Sequence, residues 1–257
     1  MSNLSTSKWT KYKLLRKSPE IKMYLPETAW LKERTFLSML TKYGEVIVKP
    51  TGSYGGNGVI AIKQTALSTY EVQDGAKKKN FSDKSKLAAF VKKKAGKNHI
   101  VQQRIPLASV NGRPFDLRVM VQRRPGSSWQ VTGKLAKVAG NGFIVTNIRL
   151  SGGKVVTVEQ ALKQSELSSI NTNDFLAQLD KVALLSAEQL SLSYHGVDTM
   201  GIDMAFDKKG NVWIIEVNFA PMLELFLKLK DKSMFRIIKS FRKSSNRHSG
   251  IKSQYKK

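Results

Sequence analysis

The sequence predicts an α+β protein, and three observations carry that expectation. Strand-like and helix-like patterns mix along the 257 residues without the strict strand–helix–strand alternation of a parallel sheet. A glycine-rich loop over 51–58 lies between two strands, not between a strand and a helix. Near the end, Met200 to Asn218 alternates with the period of a strand and turns back on itself as a hairpin. With 41% hydrophobic residues, the chain can bury one large core or two small ones that share a cleft.

In chain order, Lys8 to Arg16 and Glu27 to Lys42 read as helices separated by Tyr24-Leu25-Pro26. The second has Trp30, Leu31, Phe36, Leu37 and Leu40 as its buried stripe. Glu45 to Lys49 is a strand, followed by the loop Thr51-Gly-Ser-Tyr-Gly-Gly-Asn-Gly58 and the strand-like runs 59–62 and 69–72. Asp83 to Ala95 is a helix with Ser82 as its N-cap, and Ile100 to Gln103 returns to strand. Beyond Pro106 come longer strands, Phe115 to Arg123 and Trp129 to Val138, then loops at 140–147 and 151–153. The longest helical pattern is Asp174 to Tyr194. A short helix follows Pro221, and Lys232 to Lys243 is amphipathic, suited either to pack on the body or to lie on a membrane surface. The tail beyond Ser244 is expected to be disordered.

Composition removes several chemistries. Cysteine is absent, so no disulfide framework, thiolate metal site or cysteine nucleophile exists. His99, His195 and His248 lack ligand spacing, and His195 is expected to cap or pack the helix it ends. The N-terminus has no apolar signal-peptide core and no run reaches membrane-span length, so a cytoplasmic protein is the default expectation. A net charge of +25 predicts attraction to polyanions without choosing among nucleic acid, acidic polymers, anionic lipid and nucleotides. Lysines cluster at 77–79 and 92–94, and basic residues cluster again from Lys228 to Lys257; a solvated, solubilising surface is the plain alternative for both.

The hairpin carries the sharpest chemistry. Ile202, Met204, Phe206, Trp213, Ile215 and Val217 alternate with the rest, and a turn centred on Lys209-Gly210 joins the strands. An even-numbered loop puts Asp203 opposite Glu216, with Asn218 one step along the same face. Cross-strand Cβ atoms lie about 4.5–5.5 Å apart, where like charges repel. A cation turns that cost into a gain, and hard oxygen ligands suit Mg²⁺, commonly held by one or two carboxylates with substrate phosphates. The alternative is a surface hairpin whose acids are solvated or neutralised by lysine. The glycine loop is a second signal: its N–H groups can approach phosphate, with Lys49 at its base. It is neither a Walker motif nor a dinucleotide fingerprint, because a strand follows it.

Lysine and glycine loop at one end and an acidic hairpin at the other are what holding a nucleoside triphosphate requires. Here the chain resembles the ATP-grasp superfamily, and within it the endospore coat-associated branch called YheC/YheD-like. The resemblance runs from Lys8 to about Leu229. It rests on Lys8-Trp9, Tyr24 to Thr28, Val48 to Pro50 with the glycine loop, Ile100 to Pro106, Arg113 to Arg118, Leu135 to Lys137, Val145 to Asn147 with Gly152-Gly153, Gly201 to Asp203 and Glu216 to Asn218, in that order. It implies two α+β subdomains with the nucleotide between them: 1–101 with the lid loop, 102–230 with the metal site, and a basic segment 231–257. It implies that Asp203, Glu216 and Asn218 hold two Mg²⁺, with Glu216 bridging. Lys8 and Lys49 would contact ATP phosphates under a lid that includes Gly52, Ser53, Gly55, Gly56 and Gly58. Gln102, Gln103, Arg104 and Ile105 would connect the subdomains and face adenine. Asp116 would touch ribose or orient Arg118, and Arg118 and Lys137 would stabilise the transferred phosphoryl group or acyl phosphate.

Each assignment has a plainer counterpart: Lys8 and Lys137 as surface lysines, Arg118 paired with Asp116 inside a sheet, Asn147 as a turn residue, Gln102 and Gln103 as a strand end. Three departures from the family pattern bear on function. Asn57 stands where a basic residue is frequent, Lys137 where arginine is usual, and Met222 where glycine is common. The chain also starts at the nucleotide-binding core, so the resemblance leads us to expect a partner or a large acidic acceptor held by the basic surface. The leading expectation is an ADP-forming carboxylate–amine ligase acting through an acyl phosphate on a polyanionic or peptide acceptor. The rivals are a basic spore-coat or nucleic-acid-binding protein with a vestigial ATP site, and a kinase using the same nucleotide.

Overall fold

The computed structural model describes residues 4–53, 57–143, 146 and 148–241. Tyr54, Gly55, Gly56, Val145, Asn147 and the basic tail over 242–257 lie outside them.

Ser7 starts α1 (Lys8–Leu15), its Oγ accepting from the Thr10 N–H at 3.2 Å. A short α2 (Pro19–Lys22) follows. The helix expected from Glu27 starts later. Thr28–Trp30 is instead a strand, β1, because its backbone pairs with residues 100–102. Helix α3 (Glu33–Tyr43) begins where the Lys32 N–H meets Thr35 Oγ1 at 3.0 Å and ends at Gly44, φ +70°. Trp30 is therefore not in the buried stripe: it is 39% exposed, with its ring centroid 5.6 Å from that of Trp9. Phe36, Met39 and Leu40 form the stripe.

Strands β2 (Glu45–Pro50), β3 (Ile60–Ala66) and β4 (Thr69–Asp74) follow. The first lysine cluster is itself a strand, β5 (Lys77–Phe81). Helix α4 (Lys84–Ala95) is capped by Asp83, not Ser82; Asp83 Oδ1 accepts from the Lys86 N–H at 2.6 Å. With β6 (His99–Gln103) these make one antiparallel sheet in the order β1-β6-β2-β3-β4-β5.

The second sheet takes β7 (Ser109–Val110), β8 (Arg113–Gln122) and β9 (Gln130–Val138). After α5 (Ile148–Ser151) come two elements the periodicity did not reveal, β10 (Lys154–Val156) and α6 (Val158–Lys163). Helix α7 (Thr172–Ser191) leads to β11 (Thr199–Phe206) and β12 (Val212–Asn218). The order is β10-β9-β8-β11-β12, with β7 beside β8. His195 lies past the end of α7, exposed, so the capping role expected for it is not seen.

Three apolar clusters hold these layers. Val46, Val48, Ile60, Ile62 and Val101 of the first sheet pack on Phe36 and Leu40 of α3 and Leu87 and Val91 of α4. Leu117, Val119, Ile202 and Met204 of the second sheet pack on Leu179, Val182 and Ala183 of α7. Leu14, Leu15, Ile21 and Leu25 join this second core, while Trp9 and Tyr12 of α1 also touch Trp30 and Thr28 of β1. On the sheet's other face Met120, Leu135, Phe226 and Leu229 meet Ile238 of a helix over 233–241. That amphipathic helix buries Ile238 and Phe241 on the body, the packing alternative. No helix among the described residues is long and apolar enough to cross a membrane.

Candidate active site

The acidic hairpin meets in the expected register by an unexpected route. Asp203 pairs with Glu216 and Gly201 with Asn218, but Phe206 pairs with Val212, so the connection over 207–211 is odd-numbered. A bulge between Asp203 and Met204 makes up the difference: Met204 pairs with Ile214, leaving Ile215 as the extra residue. The bulge also changes which side chains face the core. Val212, Ile214 and Val217 are each 2% exposed, whereas Trp213 turns away and donates from Nε1 to Asp207 Oδ2 at 3.0 Å. Trp213 and Ile215 therefore do not belong to the inward face assigned to them by simple alternation. Gly210, φ +85°, closes the turn, and its N–H bonds the Asp207 carbonyl at 2.9 Å.

Asp203 is the hub of the site. Arg118 from β8 grips it in a fork, Nε to Oδ1 at 3.0 Å and Nη2 to Oδ2 at 2.9 Å. Lys137 from β9 adds Nζ to Oδ1 at 2.9 Å, and Asn218 donates to Oδ2 at 3.2 Å. Lys137 also lies 3.0 Å from Asp116 Oδ1, while Thr146 donates to the other oxygen of Asp116. Arg118 thus pairs with Asp203 and not with Asp116, the rival considered from sequence. Gly201 makes this arrangement possible. A Cβ there would lie 2.4 Å from Pro221 Cβ and 3.1 Å from Arg118 Nη1, so only glycine lets the segment after β12 cross beside the guanidinium.

A second charged group stands alongside. Lys8 Nζ is 3.3 Å from Glu216 Oε1 and donates to the Ser53 carbonyl, while the Lys8 N–H bonds the Thr51 carbonyl at 3.0 Å. Lys8 is therefore tied to both the glycine loop and the acidic hairpin. In that loop Gly58 has φ +74°, Ser53 Oγ donates to the Asn57 carbonyl at 3.1 Å, and Gly52 is exposed. Lys49 is buried; its Nζ donates to Gln102 Oε1 at 2.8 Å and to the Ile215 carbonyl at 3.4 Å. Gln102 in turn donates to Thr28 Oγ1 at 2.8 Å, so its side chain positions Lys49. The residues after it make separate contacts. Gln103 Oε1 accepts from the Glu27 N–H, Arg104 pairs with Glu45 at 3.1 Å, and Ile105 is buried. A cavity of about 30 Å³ lies among Lys8, Lys49, Gln102 and Glu216. Lys11, which the sequence did not single out, lines it too.

Burial and charge set the protonation states. Desolvation pushes Lys49 and Lys11 down from 10.5 to about 8, with the Glu216 charge opposing the fall in both. Burial works against the Asp203 carboxylate, but Arg118 and Lys137 outweigh it and hold its pKa below the usual range. Burial raises Asp116, which shares Lys137 with Asp203. Burial also opposes the Lys137 charge, yet the two carboxylates carry its pKa upward. Asp203 and Glu216 stand at paired strand positions with Asn218 beside them, which gathers hard-oxygen residues of the type that suits magnesium. Here both Asp203 oxygens are engaged by Arg118, Lys137 and the Asn218 N–H, and Glu216 faces Lys8. Among the described residues no cluster of three His, Cys, Asp or Glu side chains is gathered at one point.

Comparison with known proteins shows the family and the fold. The family described as YheC/D-like ATP-grasp matches residues 1–243. The endospore coat-associated protein YheD of Bacillus subtilis (strain 168) is 26% identical over 227 residues, covering 86% of this chain and 49% of the relative. YheC of the same strain is 25% identical over 221 residues, covering 83% and 59%. The chain thus spans about half the length of these curated relatives. Among solved structures, the ATP-grasp ligase PsnB, complexed with a phosphomimetic variant of a minimal precursor, Mg and ADP, superposes with TM-score 0.55 at 14% identity, covering 93% of this chain and 58% of that one. The ADP complex of N5-carboxyaminoimidazole ribonucleotide synthetase gives 0.50 at 15% identity, covering 85% and 45%. At such identities the structural likenesses speak for the fold. Together with the match over residues 1–243, they place this α+β chain in the YheC/YheD-like ATP-grasp family.

Proposed function

We propose that the protein is an ATP- and Mg²⁺-dependent ligase that joins a carboxylate to an amine and releases ADP and phosphate. The observation that carries this reading is the buried cluster Arg118–Asp203–Lys137 beside Glu216, Lys8 and Lys49. It brings phosphate-seeking cations and metal-seeking acids from both sheets to one place. Phosphoryl transfer demands little of a protein besides positioning and charge stabilisation, and this cluster supplies both.

In this reading Lys8 and Lys49 bind the triphosphate beneath the glycine loop, and the connector over 102–105 offers backbone groups and the Ile105 side chain to adenine. Asp203, Glu216 and Asn218 would hold Mg²⁺, two ions in the fullest form, and the metal would neutralise charge on the phosphates and polarise the one transferred. Arg118 and Lys137 stabilise charge on the moving phosphoryl group and on the acyl phosphate formed from the substrate carboxylate. Asp116, fixed by Thr146, keeps Lys137 in place. The amine then displaces phosphate, so no covalent bond to the protein is needed. The subdomain assignment at 1–101 and 102–230 belongs to the same proposal, with α1 and α2 packed on the second part. PsnB was captured with a precursor peptide, and the net charge of +25 here favours an acidic or peptidic acceptor.

The test is release of ADP and phosphate by purified protein only when a carboxylate and an amine are both supplied. Glu216→Gln is expected to abolish turnover with the fold intact. Full turnover in that variant refutes the metal role of Glu216, and phosphate retained on a hydroxyl product identifies a kinase instead. The names of YheC and YheD favour one further reading, association with the spore coat. Fractionation of sporulating cells tests it, and a protein confined to the vegetative cytoplasm contradicts it.

A further inference from the structure

β12 is the edge strand of the second sheet, yet its outer side is closed by groups from the first fifth of the chain. The Ile214 N–H donates to the Tyr24 carbonyl at 2.8 Å, and Lys49 Nζ reaches the Ile215 carbonyl. Lys11, from α1, donates to the carbonyl of Val217, and its Nζ sits 4.9 Å above the Phe219 ring. Only 6% of Lys11 is exposed. A buried ammonium is expensive to keep, and an apolar side chain among Leu15 and Leu25 would pack there at less cost. What the ammonium gains is a hold on the peptide between Glu216 and Asn218. Those residues flank Val217 and pair with Asp203 and Gly201. The bulge at Ile215 immediately before them leaves this stretch with an irregular ladder on its inner side.

We propose that Lys11 is a positioning residue. It clamps the Val217 carbonyl so that Glu216 and Asn218 are presented together toward the cation that accompanies ATP. It acts through β12, by the carbonyl it holds. This inference rests on the nucleotide site proposed above.

Calorimetric titration of ATP, once with Mg²⁺ and once with EDTA, separates the possibilities. In wild type the magnesium-dependent gain in affinity defines the coupling. Lys11→Met keeps the stem and removes the ammonium; it is expected to cut that coupling at least tenfold while leaving the EDTA affinity within twofold. Lys11→Arg keeps a donor and is expected to restore most of the coupling, and it decides the matter if the methionine variant does not fold. A folded methionine variant with wild-type coupling overturns the proposal, as does equal loss with and without Mg²⁺, or a folded arginine variant with no coupling. If wild type itself shows no magnesium-dependent ATP binding, the nucleotide site falls and this proposal falls with it.

Discussion

Replacing Asp203 with asparagine keeps the shape of the hub and removes its charge. Arg118 and Asp203 side chains are 8% and 12% exposed, and Lys137 is 11% exposed, so the change removes the anion that two buried cations share. Lys137 keeps Asp116 as a partner; Arg118 loses its fork. Breaking a buried pair from one side costs about 3–5 kcal/mol, against about 0–1 kcal/mol for a surface pair. For a chain of this size the larger figure corresponds to a fall in Tm of about 6–20 °C. Urea denaturation and thermal unfolding without nucleotide measure it. The double variant Asp203→Asn with Arg118→Met is expected to recover part of the loss, because the unpaired guanidinium goes too. A loss of less than about 1 kcal/mol in the single variant would mean that solvent screens the cluster, and the case for a dry, charge-focusing site would fail.

Gly201→Ala drives a methyl group into Pro221 and against Arg118, so we expect about 1–3 kcal/mol of destabilisation and weakened phosphoryl transfer, read by urea denaturation and ADP release. Lys49 titrates near 8, so ATP affinity should fall about tenfold between pH 7 and 9 as its charge is lost, and Lys49→Met should flatten that profile. For the nucleotide-free protein the sign is opposite. Between about 8 and 10.5 the unfolded chain holds more protons at Lys49 and Lys11 than the folded one, so their contribution to stability rises with pH, as urea midpoints across that window would show. Adhesion to heparin or nucleic acid through the lysine-rich surface should decline steeply with salt and be untouched by Asp203→Asn, which separates it from the nucleotide site.

The candidate site residues, whose roles are proposed above, could be singled out because they sit on regular patterns. Asp203, Glu216 and Asn218 alternate on adjacent strands, Lys49 ends a strand before a glycine loop, and Arg118 and Lys137 lie on long strands. What escaped the pattern depends on tertiary placement. The bulge at Ile215 has no signature in the residues around it, and without it an odd-numbered turn would have put Ile215 opposite Asp203. Lys77 to Lys79 read as a charge cluster because an exposed edge strand buries nothing to create alternation; such lysines also guard an edge against unwanted pairing. Trp30 reads as a core residue by type, and only the pairing of β1 with β6 turns it outward. Lys11 looks like any lysine on a basic helix, and its partner lies 206 positions away. The packing of α1 and α2 on the second sheet is hidden for the same reason.

The measurement that bears most directly on the account is calorimetric binding of ATP to wild type and Glu216→Gln, each with Mg²⁺ and with EDTA. We expect wild type to bind ATP tightly only with Mg²⁺, and the glutamine variant to bind weakly and equally in both conditions. Wild-type binding that ignores EDTA, or a variant that keeps its magnesium dependence, would contradict the claim that the paired acids of β11 and β12 hold the metal of a nucleotide.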